Sequence, residues 1–473
     1  MHILSIEFFL FFFVFWLVYL LGKFQNTLLT IASLFLLYYA DPNFALTVLV
    51  YSSAIYFIAR GIVSSSSQNI RRFFLGLGVI TAIAVLAIFK YFDFFKIFLV
   101  KFGLSEEMDF LMPLGLSYYV FQSIAYLVTL YEDKNADLNF HETLLHFSFF
   151  PTITAGPILR VNSFKTKFGE QQGFLQQVRS KRHIIRPALA CSLILLGIAK
   201  KWWFAGDIAN YVVNPVFENP LEYHSVDILA AIYGYTLQLF FDFSGYSDLV
   251  IGIGMLLGFQ LPINFKMPLR AVNIQDFWNR WHISLSTWIR DYIYIPLGGN
   301  RVSFFRKQLN LFLAFFLSGI WHGASLNFAI WGALHGVALV FQNLINKIFH
   351  TQKNFAYPTT RIGKFIGIFI TFNFVSFSFL IFKTTELNDF SLIIYALCHN
   401  FYDGIVNSYA LLFFGFIAFL MVFYPVLEET FDAFVSFLEF IPKIFWVLIF
   451  SLLFVIITYF SPSGIPGFIY AGF

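Results

Sequence analysis

The chain has 473 residues, 59% hydrophobic and 21% aromatic, with 68 phenylalanines and only 12% charged residues. Soluble domains carry about 45–50% apolar and about 25% charged residues, so a soluble core is excluded and an integral membrane protein is implied. A net charge of +4 is too small to point to a nucleic-acid partner, and the two cysteines, Cys191 and Cys398, read as packing residues, neither a disulfide framework nor a thiol nucleophile.

Apolar runs near 8–21, 27–40, 44–59 and 73–90 read as membrane spans. No basic leader or Ala-x-Ala cleavage signal precedes the first run, which carries Glu7, so it reads as a retained span. Arg60, Arg71 and Arg72 flank the flexible Ser64–Ser67 connector and mark that loop as cytoplasmic, which sets the N-terminus outside. Tyr91 to Met108 mixes aromatics with Lys96, Lys101, Glu106 and Glu107, as an interfacial amphipathic segment would. Leu111 to Tyr131 spans again.

Between His141 and Pro157, Pro151, Gly156 and Pro157 interrupt the apolar pattern and predict a re-entrant or kinked element. Arg160 to Arg186 is the most basic stretch, with Glu170 its single acid, and reads as a cytoplasmic anchor able to meet an anionic donor. Spans follow near 186–204 and 227–242. The second runs into the polar knot Asp242, Ser244, Tyr246, Ser247 and Asp248 before apolar sequence resumes at Leu249, which leaves one kinked helix and two separate spans both open. Asp242 and Asp248 suit either holding the fold or orienting a histidine. Later spans lie near 365–382, 409–426 and 444–460, for about 10–12 in all by the roughly 20-residue criterion.

Two polar islands stand out. The first, Asn273 to Asn300, reads from Ile274 as an amphipathic helix that buries Phe277, Trp281, Ser284 and Trp288 on one face and leaves its arginines, Arg280 among them, for headgroups or donor phosphates. The second, Ser318 to Asn327, centres on Trp321-His322-Gly323, where two apolar arms meet between Gly319 and Gly323. That pattern predicts a broken backbone at membrane depth, tolerated where a cavity receives it. His322 is then expected to face a cavity, and an intramembrane histidine is functional by default. His335, four residues beyond Trp331, reads as packing or support.

These blocks resemble the membrane-bound O-acyltransferase (MBOAT) family, in particular the bacterial branch that O-acylates cell-surface polymers through alginate O-acetylation, teichoic acid D-alanylation or peptidoglycan O-acetylation. The resemblance is carried by Met112–Gln122, Phe241–Asp248, Phe277–Ser286, Arg290–Gly299 and Trp321–Gly323, in order over residues 112–335. It implies an all-α polytopic fold with re-entrant and interfacial helices around a central tunnel, one membrane domain over 1–461 and an extracytoplasmic tail over 462–473. It also implies a bacterial inner-membrane location, acetyl-CoA as donor substrate and no metal. His322 is the implied base, with His282 at the second polar position. Trp321, Arg280, Trp281, Asn327 and Ser284 are the implied binding residues. Phe382-Lys383-Thr384 departs from the Phe-Arg-Ala common in the family, which removes the ground for carrying over that arginine's role.

The tail Phe468-Ile-Tyr-Ala-Gly-Phe473 resembles an acyl-carrying terminus, with Tyr470 passing the group to an extracytoplasmic SGNH or esterase-like partner. A phenol with pKa about 10 leaves far more readily than a sugar alcohol, so an aryl ester stays activated for a second transfer. Peptidoglycan is favoured as the final acceptor over an exopolysaccharide or teichoic acid. The rivals are a membrane metal oxidase, which would need closely spaced histidines that this chain lacks, and a transporter or flippase, which would show paired repeats.

Overall fold

A computed structural model of the chain describes residues 3–92, 96, 100–101, 111–349, 358, 360–384, 386–401, 408–464 and 467. Most of the expected interfacial segment over 91–108 lies outside the described residues, and Tyr470 does too. The fold is all-α and polytopic. Among the described residues seven helices are long and apolar enough to cross a bilayer, and Ile6–Tyr19 and Ile444–Phe460 are apolar but shorter.

The chain divides into two compact units, Met1–Ala190 with Val250–Ile263, and Cys191–Leu249 with Asn264–Phe473. The first unit contains α1 (Ile6–Tyr19), α2 (Gln25–Ala40), α3 (Pro42–Ser64), α4 (Gln68–Lys90), α5 (Leu116–Glu132), α6 (Phe140–Ser148) and α7 (Phe174–Arg179). The predicted interruption after His141 is real: α6 runs only nine residues, starts on an Asn139–Glu142 capping box, and gives way to turns through Pro151. A short hairpin, Phe164–Thr166 with Gly169–Gln171, is the only sheet among the described residues.

The arginines of the basic loop hold this unit together. Arg179 makes a two-pronged pair with Glu142 at 2.8 Å on each arm and donates to the Asp137 carbonyl. Arg182 donates to the Tyr19 hydroxyl, the Asn26 side chain and the Gln177 carbonyl, while Tyr19 donates to the Leu257 carbonyl at 2.7 Å. A stretch that hydropathy marks only as cytoplasmic is thereby pinned to α1 and α2 by charge-assisted hydrogen bonds.

The second unit begins in α8 (Pro187–Glu218), which is continuous but widens into π turns at Ala199–Phe204 and Ala209–Val213. The two arms around the polar knot are one helix, α9 (Ser225–Leu256), of 32 residues. Its most apolar window is 83% buried against 11% for α4, so α9 is a central helix and α4 turns Phe73 and Ile80 outward to lipid. The knot's carboxylates are taken by lysines of the first π turn. Lys201 pairs with Asp242, both essentially excluded from solvent, and Lys200 pairs with Asp248 at 2.6 Å. Gly197 and Gly245 let α8 and α9 approach closely enough for this, since a Cβ on Gly197 would lie 2.5 Å from the Gly245 carbonyl.

Next come α10 (Ile274–Arg280) and α11 (Ile283–Ile289), then α12 (Phe304–His322), α13 (Leu326–Ile348), α14 (Arg361–Lys383), α15 (Leu387–His399), α16 (Ser408–Phe440) and α17 (Ile444–Phe460). Two expectations need correction. The Asn273 island is not one helix but two of seven residues, because His282 takes the left-handed conformation at φ 42° and turns the chain. The backbone does break at Trp321-His322-Gly323, but between two complete helices and not between two halves of one span. The whole of α12, about 28 Å at 1.5 Å per residue, precedes it, and a three-residue corner leads straight into α13.

The hairpin of α12 and α13 closes backbone to backbone. A Cβ on Gly332 would sit 2.6 Å from the Phe315 carbonyl, and one on Gly319 would sit 2.4 Å from the Phe328 carbonyl. We expect Gly332→Ile to force the pair apart at a cost of about 1–3 kcal/mol, whereas Gly76→Ala in α4, where an added Cβ meets nothing within 4 Å, changes stability by no more than about 1 kcal/mol. Thermal unfolding of the detergent-solubilised chain compares the two. In the same assay Asp242→Asn leaves the Lys201 charge buried without its counterion and costs about 3–5 kcal/mol, while the pair replaced together by Lys201→Met and Asp242→Leu recovers most of that loss.

Candidate functional site

His322 ends α12 and is 3% exposed. Its ring is walled by aromatics: Trp321 at 4.6 Å, Phe382 edge-on at 4.9 Å, Trp331 edge-on at 5.2 Å and Phe328 at 6.1 Å. Such walls exclude water and so strengthen any charge interaction made within them. The wall residues come from three helices, because α13 begins directly after the three-residue corner that follows α12 and the end of α14 packs against both.

Asn327 locks that arrangement. From the first turn of α13 its side-chain amide donates to the Thr384 carbonyl at 2.6 Å and lies 3.1 Å from the Thr384 hydroxyl. It is fully buried, so the bond ties the start of α13 to the residue after α14 with no competition from water. Phe382 and Thr384 therefore act from one turn, the first against the His322 ring and the second on Asn327.

His335 lies two turns further along α13 and is held on both ring nitrogens. The Trp278 indole, which can only donate, bonds Nδ1 at 3.3 Å. Nδ1 must then be the acceptor, and Nε2 carries the proton that it donates to Ser378 Oγ at 3.0 Å; that hydroxyl in turn donates to the Val375 carbonyl at 2.7 Å. Trp331 stands between the two histidines, 4.7 Å from the His335 ring and 5.2 Å from that of His322. His335 so fixes the ring on which His322 rests.

The other residues of the first island belong elsewhere. Trp281 packs against Phe240, Phe265, Phe277 and Phe379, in the aromatic core of this unit. Arg280 pairs with Asp276 at 2.9 Å and donates to the Lys266 carbonyl. Ser284 gives both its backbone N–H and its hydroxyl to Asn264 Oδ1, at 3.2 and 2.6 Å. His282 packs edge-on to Phe243 at 4.7 Å, and burial pushes its pKa down to about 3, so it is neutral near pH 7. The structure thus sets Trp321 against His322 and Asn327 on Thr384 beside the Phe382 wall, gives Arg280 and Ser284 bonding partners of their own, and packs His282 on Phe243. Of the residues that support the His322 walls, Trp278 falls within the Phe277–Ser286 block, whereas Ser378 and Thr384 carry no motif of their own. Only the Phe382-Lys383-Thr384 departure drew attention to that stretch.

Comparison with known proteins gives this geometry a family. The profile of the MBOAT, membrane-bound O-acyltransferase family, matches residues 27–383, which takes in every helix that contributes to the His322 walls. The chain belongs to the membrane-bound O-acyltransferase family. It is therefore an acyltransferase and a multi-pass membrane protein. Among curated relatives, the peptidoglycan O-acetyltransferase of Helicobacter pylori is 34% identical over 77% of this chain and 72% of that protein. A probable alginate O-acetylase AlgI of Pseudomonas aeruginosa is 36% identical over 70% of this chain and 63% of its own length. The teichoic acid D-alanyltransferase of Bacillus subtilis is 31% identical over 57% and 68%. Among the described residues no three His, Cys, Asp or Glu side chains gather as a metal site would require.

The buried state of His282 has a measurable consequence. Its folded pKa lies below the ordinary value of about 6.5, so the unfolded chain takes up a proton that the folded chain refuses. Stability is then greatest above about pH 6.5 and declines as pH falls towards 3. His282→Asn, which also suits a positive φ, is expected to reduce the steepness of that decline in denaturation measured from pH 7 to pH 4.

Proposed function

We propose that this acyltransferase moves an acetyl group from cytoplasmic acetyl-CoA to Tyr470, and that an extracytoplasmic esterase-like partner then passes it to a cell-envelope glycan, with peptidoglycan the favoured acceptor. The observation that carries this reading is the burial of His322 at the tightly braced corner of α12 and α13. A neutral imidazole so placed is a competent general base at neutral pH. In the first transfer His322 takes the phenolic proton as the oxygen attacks the thioester carbonyl. The C–S bond breaks, and the departing thiolate recovers a proton from the imidazolium. The second transfer moves the acetyl group from the aryl ester to the partner's hydroxyl.

The distribution of charge supports the direction. Arg301, Arg306 and Lys307 stand at the start of α12, Lys347 at the end of α13, and Arg361 and Lys364 at the start of α14. Because α12, α13 and α14 alternate in direction, all six share one end, which the positive-inside rule assigns to the cytoplasm of a bacterial inner membrane. His322 and Asn327 share the opposite end. Lys443 likewise precedes α17, so the same rule sends the tail after Phe460 outward. Peptidoglycan is favoured because the H. pylori relative, which bears that activity in its name, matches over 77% of this chain and 72% of its own length.

His322→Ala should lower acetyl transfer by about 10²–10⁴-fold, the usual worth of a general base, in a chain that still folds. Tyr470→Phe keeps the aromatic anchor and removes the hydroxyl, so labelled acetyl should no longer appear on the tail by intact-mass analysis, and glycan acetylation should cease. Undiminished glycan acetylation in the Tyr470 variant refutes the relay, and an active His322→Ala refutes the base.

A further inference from the structure

The turn that braces His322 has a second face. On the far side of Phe382 and Thr384 lies a cavity of about 340 Å³, lined by Asn214, Phe217 and Glu218 at the end of α8, by Lys383 and Thr384, and by Asp389 near the start of α15, with Pro220, Leu392 and Ile393 completing it. Its size falls at the lower end of the range for small-molecule sites, about 300–1,000 Å³. Its rim is braced, since the Asn400 side chain donates to the Leu221 and Tyr223 carbonyls at 3.1 and 3.0 Å and joins the end of α15 to the loop after α8.

The lining is specific in its chemistry. Asn214 and Thr384 can both donate and accept, Glu218 and Asp389 accept, and Lys383 donates. The Lys383 ammonium is held over the rings of Tyr235 and Phe217, at 5.5 and 5.9 Å. Two carboxylates against one ammonium leave a formal charge of −1, which repels phosphates and uronates. Phe217 and Pro220 supply flat apolar surfaces among these polar groups. A sugar ring offers the complement, with an apolar C–H face and a rim of hydroxyls that both donate and accept.

We propose that this cavity is a binding subsite for a neutral, hydroxyl-rich sugar unit of the polymer that finally receives the acyl group. This rests on the envelope-glycan reading above and deepens it, since a cavity of net negative charge selects the neutral N-acetylhexosamine units of such a glycan over the charged units of a polyuronate. The sugar is held on the outer side of the 382–384 turn, at the end of the helices where His322 lies, so the polymer is retained beside the point at which the acyl group leaves the protein. Lys383, Glu218 and Asp389 are specificity residues in this scheme and touch none of the reacting atoms.

The test is calorimetric titration of the full-length chain in detergent with two probes, neutral triacetylchitotriose and the trianionic mannuronate trimer. The neutral trimer should bind saturably in the millimolar range, and the mannuronate trimer at least about tenfold more weakly, a difference of about 1.4 kcal/mol. The double variant E218Q/D389N removes both carboxylates and leaves Lys383, so it should reverse that order. Lys383→Met should abolish residual mannuronate binding and keep the neutral sugar within about tenfold. Melting temperatures of both variants establish that they fold.

No saturable binding of the neutral trimer, equal binding of the two probes, or an order unchanged in both variants overturns the proposal. The titration is repeated in Tyr470→Phe, where the relay is absent by construction. Sugar binding retained there while glycan acetylation continues condemns the relay alone, and sugar binding lost in the wild type condemns this subsite alone.

Discussion

Backbone contact between α12 and α13 fixes where the His322 imidazole stands. At Gly319, Gly332 and Gly336 an added Cβ would fall within about 3 Å of the facing helix, so neither helix can slide or rotate without collision. In a bilayer, where apolar side chains gain little by leaving lipid for protein, such close approach and the dispersion contacts it permits are the main source of helix association. The corner that joins the two helices is consequently fixed. The imidazole at that corner inherits its position from a contact that begins a turn away and contains no polar side chain.

A second layer turns that position into an environment. Trp331 lies against His322 on one edge and His335 on the other, and His335 is clamped by Trp278 and Ser378. A histidine whose two nitrogens are both engaged cannot easily act as a base, but it can hold an aromatic wall in one rotamer. Asn327 adds the third fixed point by tying α13 to the residue after α14. Each brace is a buried hydrogen bond whose loss would leave a donor or acceptor stranded in a dry interior, which costs more than the bond itself is worth. The site is rigid for this reason.

The sequence was legible where the signal is local and the reading went astray where it is not. Long apolar runs located α3, α4, α8, α9, α14 and α16, which are long enough to cross, while the runs at 8–21 and 444–460 form shorter helices, and Pro151 and Gly156 marked the end of α6, because hydropathy and backbone restriction act residue by residue. The Trp-His-Gly block announced a polar group in an apolar setting. Its geometry was misjudged because Arg306, Lys307 and Asn310 interrupt the first half of α12, and polar residues at one end of a helix hide its true length. The helix after Asn273 was misjudged for a different reason. Its three-and-four spacing continues through His282, and nothing in that pattern reveals a single left-handed residue. The partners of Asp242 and Asp248 were invisible for a third reason, since Lys200 and Lys201 lie more than 40 residues away and meet them only because Gly197 and Gly245 let two helices touch.

Those ion pairs bear on the division of labour in the second unit. Burying Lys201 with Asp242 gains little over apolar packing and costs much if either partner is lost, so such a pair is poor evidence of stability for its own sake. Its value lies in register. A lysine on a π turn of α8 can meet a carboxylate on α9 in one alignment only, and α9 carries Phe240 and Phe241 into the same aromatic core that holds Trp281 and Phe379. Phe379 is one turn from Phe382, whose ring faces His322. The charges thus act at a distance through a packed column of rings: they set the alignment of α8 and α9, that alignment seats the core, and the core presents the end of α14 to the corner where His322 waits.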